Sequence, residues 1–158
     1  HTRADHQLSY AFTAAPTGNA MSVAYQSVGY LPPIPILAVR FRRLVDPVAS
    51  ELYDAIVDTG ADMTIAPAEI LVNLQAHDVQ ETNLVSQWGD VHPVVLYLVD
   101  LEIEGQVIPG VLVAGDETTQ EVILGRNLLN MLPLFLDGPQ QQTYVVEDAR
   151  ARQLRMQR

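Results

Sequence analysis

Apolar residues in this chain fall into short runs separated by glycine, proline, aspartate and asparagine, a pattern of many brief strands with few helices. Tyr30-Leu31-Pro32-Pro33-Ile34-Pro35 is stiff and extended, because each proline fixes its own φ and biases the residue before it away from helix. It leads into Ile36-Leu37-Ala38-Val39-Arg40-Phe41, a predicted strand. After a loop at Asp46-Pro47, Leu52 to Val57 forms the next strand, and Met63 to Ala66 another. Pro67 followed by Ala68 to Leu74 predicts a short helix, with proline in its first turn and apolar residues on one face.

From Thr82 to Val99 two extended segments flank Trp88-Gly89-Asp90, where Gly-Asp suits a hairpin turn. Leu101-Glu102-Ile103 and Val107-Ile108 flank a second turn at Glu104-Gly105-Gln106, and Gly110 to Ala114 continues as a strand. The polar loop Asp116 to Gln120 precedes the strand Val122-Ile123-Leu124. Asn127 to Leu132 predicts a short helix stopped near Pro133, and Leu134 to Val146 a last hairpin around Asp137-Gly138-Pro139. The fold class expected is all-β, a closed or partly closed barrel with one or two short helices.

The chain has 158 residues, 48% of them hydrophobic, which suits one domain with a real core. Its formal net charge is −10, from 19 acidic residues against 9 basic ones, and every basic residue is an arginine. Such a surface repels a polyanion, so nucleic acid is not an expected partner. Arg150, Arg152, Arg155 and Arg158 crowd the last residues, read as a solvated tail or a docking peptide. The absence of cysteine excludes a disulfide framework, a thiol nucleophile and a thiolate zinc site. Apolar runs such as Val94 to Val99 are too short to cross a bilayer, which needs about 20 residues, so no membrane partner is expected. A soluble protein is expected, in the cytoplasm rather than secreted, although composition does not decide the compartment. Residues 1–30 are expected to be a flexible extension (an expression remnant, a linker or a pro-segment, with Met21 a possible native start), 31–148 the domain and 149–158 an arginine-rich tail.

The chemistry concentrates in Ala55-Ile56-Val57-Asp58-Thr59-Gly60-Ala61-Asp62, where an apolar run delivers one carboxylate into a tight turn, and in Val122-Ile123-Leu124-Gly125-Arg126-Asn127-Leu128-Leu129 downstream. Together they resemble the retropepsins, the single-domain aspartic proteases of retroviruses and their cellular and bacterial relatives. The resemblance covers roughly residues 34–137. Retroviral members usually lack the helix after Pro67, which points to a cellular or bacterial member. The Asp-Thr-Gly triplet occurs once and there is no internal repeat, so the resemblance implies a homodimer whose catalytic pair takes one Asp58 from each copy.

Further implications of the resemblance are residue by residue. Thr59 bonds across the dimer axis, Gly60 lets the backbone approach the carboxylates and the substrate, and Ala61 lines the cleft floor. Asp62 receives substrate backbone and forms a structural pair with Arg126. Ile123 faces a substrate side-chain pocket, and Trp88, Gly89 and Asp90 form the tip of a flap over a bound peptide or protein substrate. Trp88 departs from the glycine-rich flap of retroviral enzymes, and a buried core position is the alternative for it. No cofactor is implied.

The triplet alone is common in turns, and a catalytically silent barrel that binds peptides or serves as a structural dimerisation domain is the rival function. Asp54, Asp58 and Asp62 would align on a helix as cation ligands, but the glycine turn and β-branched run oppose a helix, so no metal site is expected. His77 and His92 have no companion at metal-ligand spacing and read as surface residues; no nucleotide-binding glycine motif exists. Phe12, Tyr25 and Tyr30 are large apolar residues in the expected flexible segment, and the resemblance to a peptidase makes them candidate sites of self-trimming in trans.

Overall fold

The structure is a computed structural model that describes residues 21–157; Phe12, Arg158 and the rest of the expected extension up to residue 20 lie outside the described residues. Its strands are β1 Ser22–Ala24, β2 Ile36–Arg42, β3 Tyr53–Val57, β4 Thr64–Pro67, β5 His77–Val85, β6 Val91–Ile103, β7 Gln106–Asp116, β8 Val122–Leu124, β9 Leu134–Asp137 and β10 Gln142–Val145. Three helices interrupt them: α1 Ala68–Asn73, α2 Arg126–Leu129 and α3 Asp148–Met156.

The main sheet runs β2-β3-β8-β4-β7-β6-β5, and β2 also pairs with β6. That extra pairing, Val39 opposite Ile103 and Phe41 opposite Leu101, closes six strands into a barrel and leaves β5 as an outlying partner of β6. The all-β closed barrel expected from the alternation is the fold observed. β2 shows why: Leu37, Val39 and Phe41 are fully buried while Ala38, Arg40 and Arg42 turn outward, the period of two that a half-buried strand requires. They pack against Ala55, Val99, Leu101, Val113, Leu124 and Leu128 in one core.

A second cluster lies apart from this core. Val94, Leu96 and Ala114 are buried against Met63, Ile65 and Leu84, so the base of the β5–β6 hairpin packs on the segment that leaves Asp58. Register shifts bend the long strands. One lies between Val99 and Leu101, where Asp100 Oδ1 accepts the N–H of Gly110 (2.9 Å), whose φ of +65° suits glycine.

Two corrections concern the ends of the chain. Ser22–Ala24, inside the stretch expected to be flexible, pairs antiparallel with β10 and completes a small sheet of order β1-β10-β9. The arginine tail expected to fray is instead, among the described residues, the helix α3. Ala151, buried at 5% exposure, anchors it, and Arg150, Arg152 and Arg155 ride on it. Alanine, arginine, glutamine, leucine and methionine are good helix formers, so this segment needs only a small anchor.

Candidate active site

Asp58 ends the parallel pairing of β3 with β8. Val57 lies opposite Leu124, the Asp58 N–H donates to the Leu124 carbonyl (3.1 Å), and the chain then turns sharply. Within the turn the Gly60 N–H donates to Asp58 Oδ1 (2.8 Å) and the Ala61 N–H to the Asp58 carbonyl (3.3 Å). One carboxylate oxygen is thus held by the backbone, on a half-buried residue whose neighbours Thr59 and Gly60 are exposed. A Cβ on Gly60 would sit 3.0 Å from Asp58 Oδ1, tighter than ordinary contact, which is a local reason for glycine there.

The turn is tied down from β8's far end. Arg126 Nη1 donates to the carbonyls of Thr59 (2.9 Å) and Gly60 (3.1 Å), and Nη2 donates to Asp62 Oδ1. The backbone repeats the tie, since the N–H of Arg126 donates to the Ala61 carbonyl (2.8 Å) and that of Asn127 to the Asp62 carbonyl (3.2 Å). A guanidinium suits this task because its donors form a rigid fork. The Asp62 carboxylate is 85% exposed, so the ion pair itself contributes little stability, and the carbonyl contacts do the positioning.

After the turn the chain crosses to the other side of β8, where Ile65 pairs with Ile123. The crossing needs Gly125: a Cβ there would lie 2.4 Å from the Met63 carbonyl carbon and oxygen. Asn127 fixes the same crossing. Its Oδ1 accepts from the Thr64 N–H (2.8 Å) and hydroxyl (2.9 Å), and its Nδ2 donates to the Leu112 carbonyl (2.8 Å). The Thr64 hydroxyl in turn accepts the Gly125 N–H (3.2 Å). Neither Thr64 nor Asn127 was singled out from the sequence. The available signal was an amide directly after Gly-Arg and a threonine inside an apolar strand.

Ile123 is half-buried and points away from the core that takes Val122 and Leu124. At the end of the β5–β6 hairpin, Trp88 is 82% exposed, so its place is the hairpin tip and not the core. The turn there spans Ser86 to Asp90 and is not the two-residue Gly-Asp turn expected. Ser86 closes it, with its N–H donating to the Asp90 carbonyl (2.9 Å) and its Oγ accepting the N–H groups of Trp88 (3.2 Å) and Asp90 (3.1 Å). Gly89 adopts φ +87°.

Asp54 lies on β3, so it does not share a helix face with Asp58 and Asp62; among the described residues no three His, Cys, Asp or Glu side chains are grouped to hold a metal ion. His77 and His92 are exposed. No helix among the described residues is long and apolar enough to cross a membrane.

No protein-family model matches the chain, and no curated protein matches it. Among solved structures it is similar to the EIAV protease complexed with the inhibitor HBY-793, at 22% sequence identity and a TM-score of 0.48, over 62% of this chain and 86% of that one.

Proposed function

We propose that this protein is a retropepsin-like aspartic endopeptidase, active as a homodimer in which Asp58 of each copy forms one catalytic pair. The observation that carries this reading is the pinned Asp58 turn: one carboxylate oxygen is held by the Gly60 N–H, and the loop is locked by Arg126. A carboxylate fixed by its own turn and tied to a second strand is organised for chemistry at its other oxygen. One such turn in the chain supplies half a dyad, and a second copy supplies the rest.

Two such carboxyl groups about 3 Å apart cannot both ionise, so they share a proton. The ionised member takes a proton from water as the water oxygen bonds to the peptide carbonyl carbon, while the protonated member donates to the carbonyl oxygen. Collapse of this intermediate breaks the C–N bond, and the amine leaves with a proton from the pair. Substrate lies extended between the hairpin tip at Trp88, Gly89 and Asp90 and the floor at Ala61, Asp62 and Ile123, adding a strand. Thr59, exposed beside Asp58, hydrogen-bonds its counterpart across the axis. The helix α1 after Pro67 is the feature that favours a cellular or bacterial member of this class.

The test is cleavage of a mixed peptide library, read by mass spectrometry from acidic to neutral pH, for the wild type and Asp58→Asn. Cleavage next to apolar residues by the wild type, lost at least a thousandfold in the variant with its thermal midpoint retained, is the expected result. Equal cleavage by both proteins would overturn the proposal. Binding of library peptides without cleavage would instead identify a peptide-binding barrel.

A further inference from the structure

Near the Asp58 turn one carboxylate is left with little to do. Glu121 stands immediately before β8, exposed beside the buried Val122, which puts it on the outward, Ile123 side of the strand. Three residue steps of extended chain carry it to Leu124, whose carbonyl holds Asp58, a distance of about 10 Å. Tyr30 reaches it from the segment before the barrel, its hydroxyl donating to Glu121 Oε1. That segment is held in place: Gln26 and Ile34 exchange backbone hydrogen bonds (2.9 and 3.0 Å), and the Val57 N–H donates to the Pro35 carbonyl (3.0 Å).

A carboxylate has two oxygens and room for about four donors, yet Tyr30 is the side-chain donor to Glu121 among the described residues. The surrounding loop, Asp116-Glu117-Thr118-Thr119-Gln120-Glu121, contains three acids and no basic residue. The one arginine at the turn, Arg126, is occupied by Thr59, Gly60 and Asp62. Beside Tyr30, Leu31 is 98% exposed and Val28 79%, apolar surface next to a fixed negative charge. An acid with an apolar shelf matches the side chains of arginine and lysine, which lay a hydrocarbon stem on apolar surface and present a cation at its end.

We infer that Glu121, positioned by Tyr30, selects substrates carrying a basic side chain within about three residues of the cleaved bond, the reach of 10 Å along an extended peptide. This rests on the proposed peptidase reading, since the geometry is measured from Asp58. Glu121 acts by ion pairing with the substrate. Tyr30 acts through Glu121, and its raised pKa, caused first by this hydrogen bond and then by burial and the carboxylate's charge, keeps the hydroxyl a donor into alkaline solution.

The experiment uses the full chain and peptide sets identical except for Arg, Leu or Glu at each of the three positions on either side of the cleaved bond. Cleavage is read as kcat/KM. In parallel, fluorescence anisotropy measures binding of the same labelled peptides to Asp58→Asn. The wild type is expected to favour Arg over Glu by about fivefold or more at one position, the size of a partly exposed ion pair. Glu121→Gln should erase that preference and Glu121→Arg reverse it. Tyr30→Phe should shrink the preference without moving kcat on the Leu peptide.

Cleavage with no charge preference, or a preference that Glu121→Arg leaves intact, overturns the inference and spares the peptidase reading. Charge-selective binding that reverses in Asp58→Asn/Glu121→Arg, without cleavage by any form, upholds the selector and sinks the peptidase reading. Absence of both binding and cleavage overturns both.

Discussion

Asn127 ties together the segments that flank the Asp58 turn. Its amide accepts two hydrogen bonds from Thr64 and donates one to the Leu112 carbonyl, joining β4, β7 and α2 at the point where the chain crosses over Gly125. Truncation to alanine leaves the buried Thr64 hydroxyl with the Gly125 N–H as its remaining contact and strands the other groups. Leaving buried donors and acceptors unpaired costs more than a hydrogen bond returns on folding, so Asn127→Ala should lose about 2–4 kcal/mol of stability in urea unfolding. Asn127→Asp keeps the acceptor but not the donor, and should fall between the variant and the wild type. An Asn127→Ala protein as stable as the wild type would mean that the crossing is held by packing alone. By contrast, the Asp62–Arg126 ion pair is open to water, and its loss should show in activity before it shows in stability.

At the scale of elements, the turn between β6 and β7 carries a strain and a charge together. Glu104 adopts φ +50° and Gly105 φ +73°, the left-handed pair that a two-residue hairpin turn requires, where asparagine is better suited than glutamate at the first position. Glu104 also lines, with Met21, Glu147 and Asp148, a cavity of about 340 Å3 between this turn and the start of α3. Burial raises its pKa above the ordinary glutamate value. The folded chain therefore binds this proton more tightly than the unfolded chain. Its contribution to stability is full below the ordinary glutamate range and is lost as pH rises through the folded value. Glu104→Gln removes that loss, so its stability relative to wild type should increase from about pH 4 to pH 7, measured by urea midpoints; a constant difference would locate no titration here.

The elements themselves were mostly legible from the chain, because a half-buried strand must alternate and a tight turn must use glycine, asparagine, aspartate or proline. Leu37-Val39-Phe41 and the Glu104-Gly105 turn show both rules. What escaped obeys neither. Ser22–Ala24 is too short to display a period, and its strand identity comes from β10 beside it. The helix α3 has a single small buried residue, so no apolar stripe announces it. Ser86 and Asn127 matter through partners that only the folded chain brings within reach. At the site, the Asp58 turn was legible from its glycine, whereas the pairing of Asp62 with Arg126 was an expectation from the family resemblance, because the two residues are too far apart in sequence for any local pattern to join them. The Tyr30–Glu121 contact joins residues 91 apart in sequence and left no mark in either local pattern.

For the whole molecule, the proposed dyad requires two copies to meet with Asp58 facing Asp58. The small sheet ends on β9, which among the described residues pairs on one side with β10 and on the other with nothing. β9 follows α2 after only Asn130 to Pro133, so it is coupled to the Arg126 that locks the turn. A strand edge that meets its own copy about a two-fold axis pairs antiparallel, and would join the two sheets into one. Neighbouring residues in such a strand direct their N–H groups to opposite sides, so proline at Leu136 and proline at Asp137 should have opposite outcomes. One should disturb the β9–β10 pairing and lower the thermal midpoint; the other should leave the chain folded but monomeric by sedimentation equilibrium, and inactive. Because each copy carries a formal charge of −10, association should tighten as salt is added and screens their repulsion. Dimers that persist in both proline variants would move the interface elsewhere on the barrel while leaving the chemistry of Asp58 intact, and a protein that stays monomeric at every salt concentration could not assemble the pair at all.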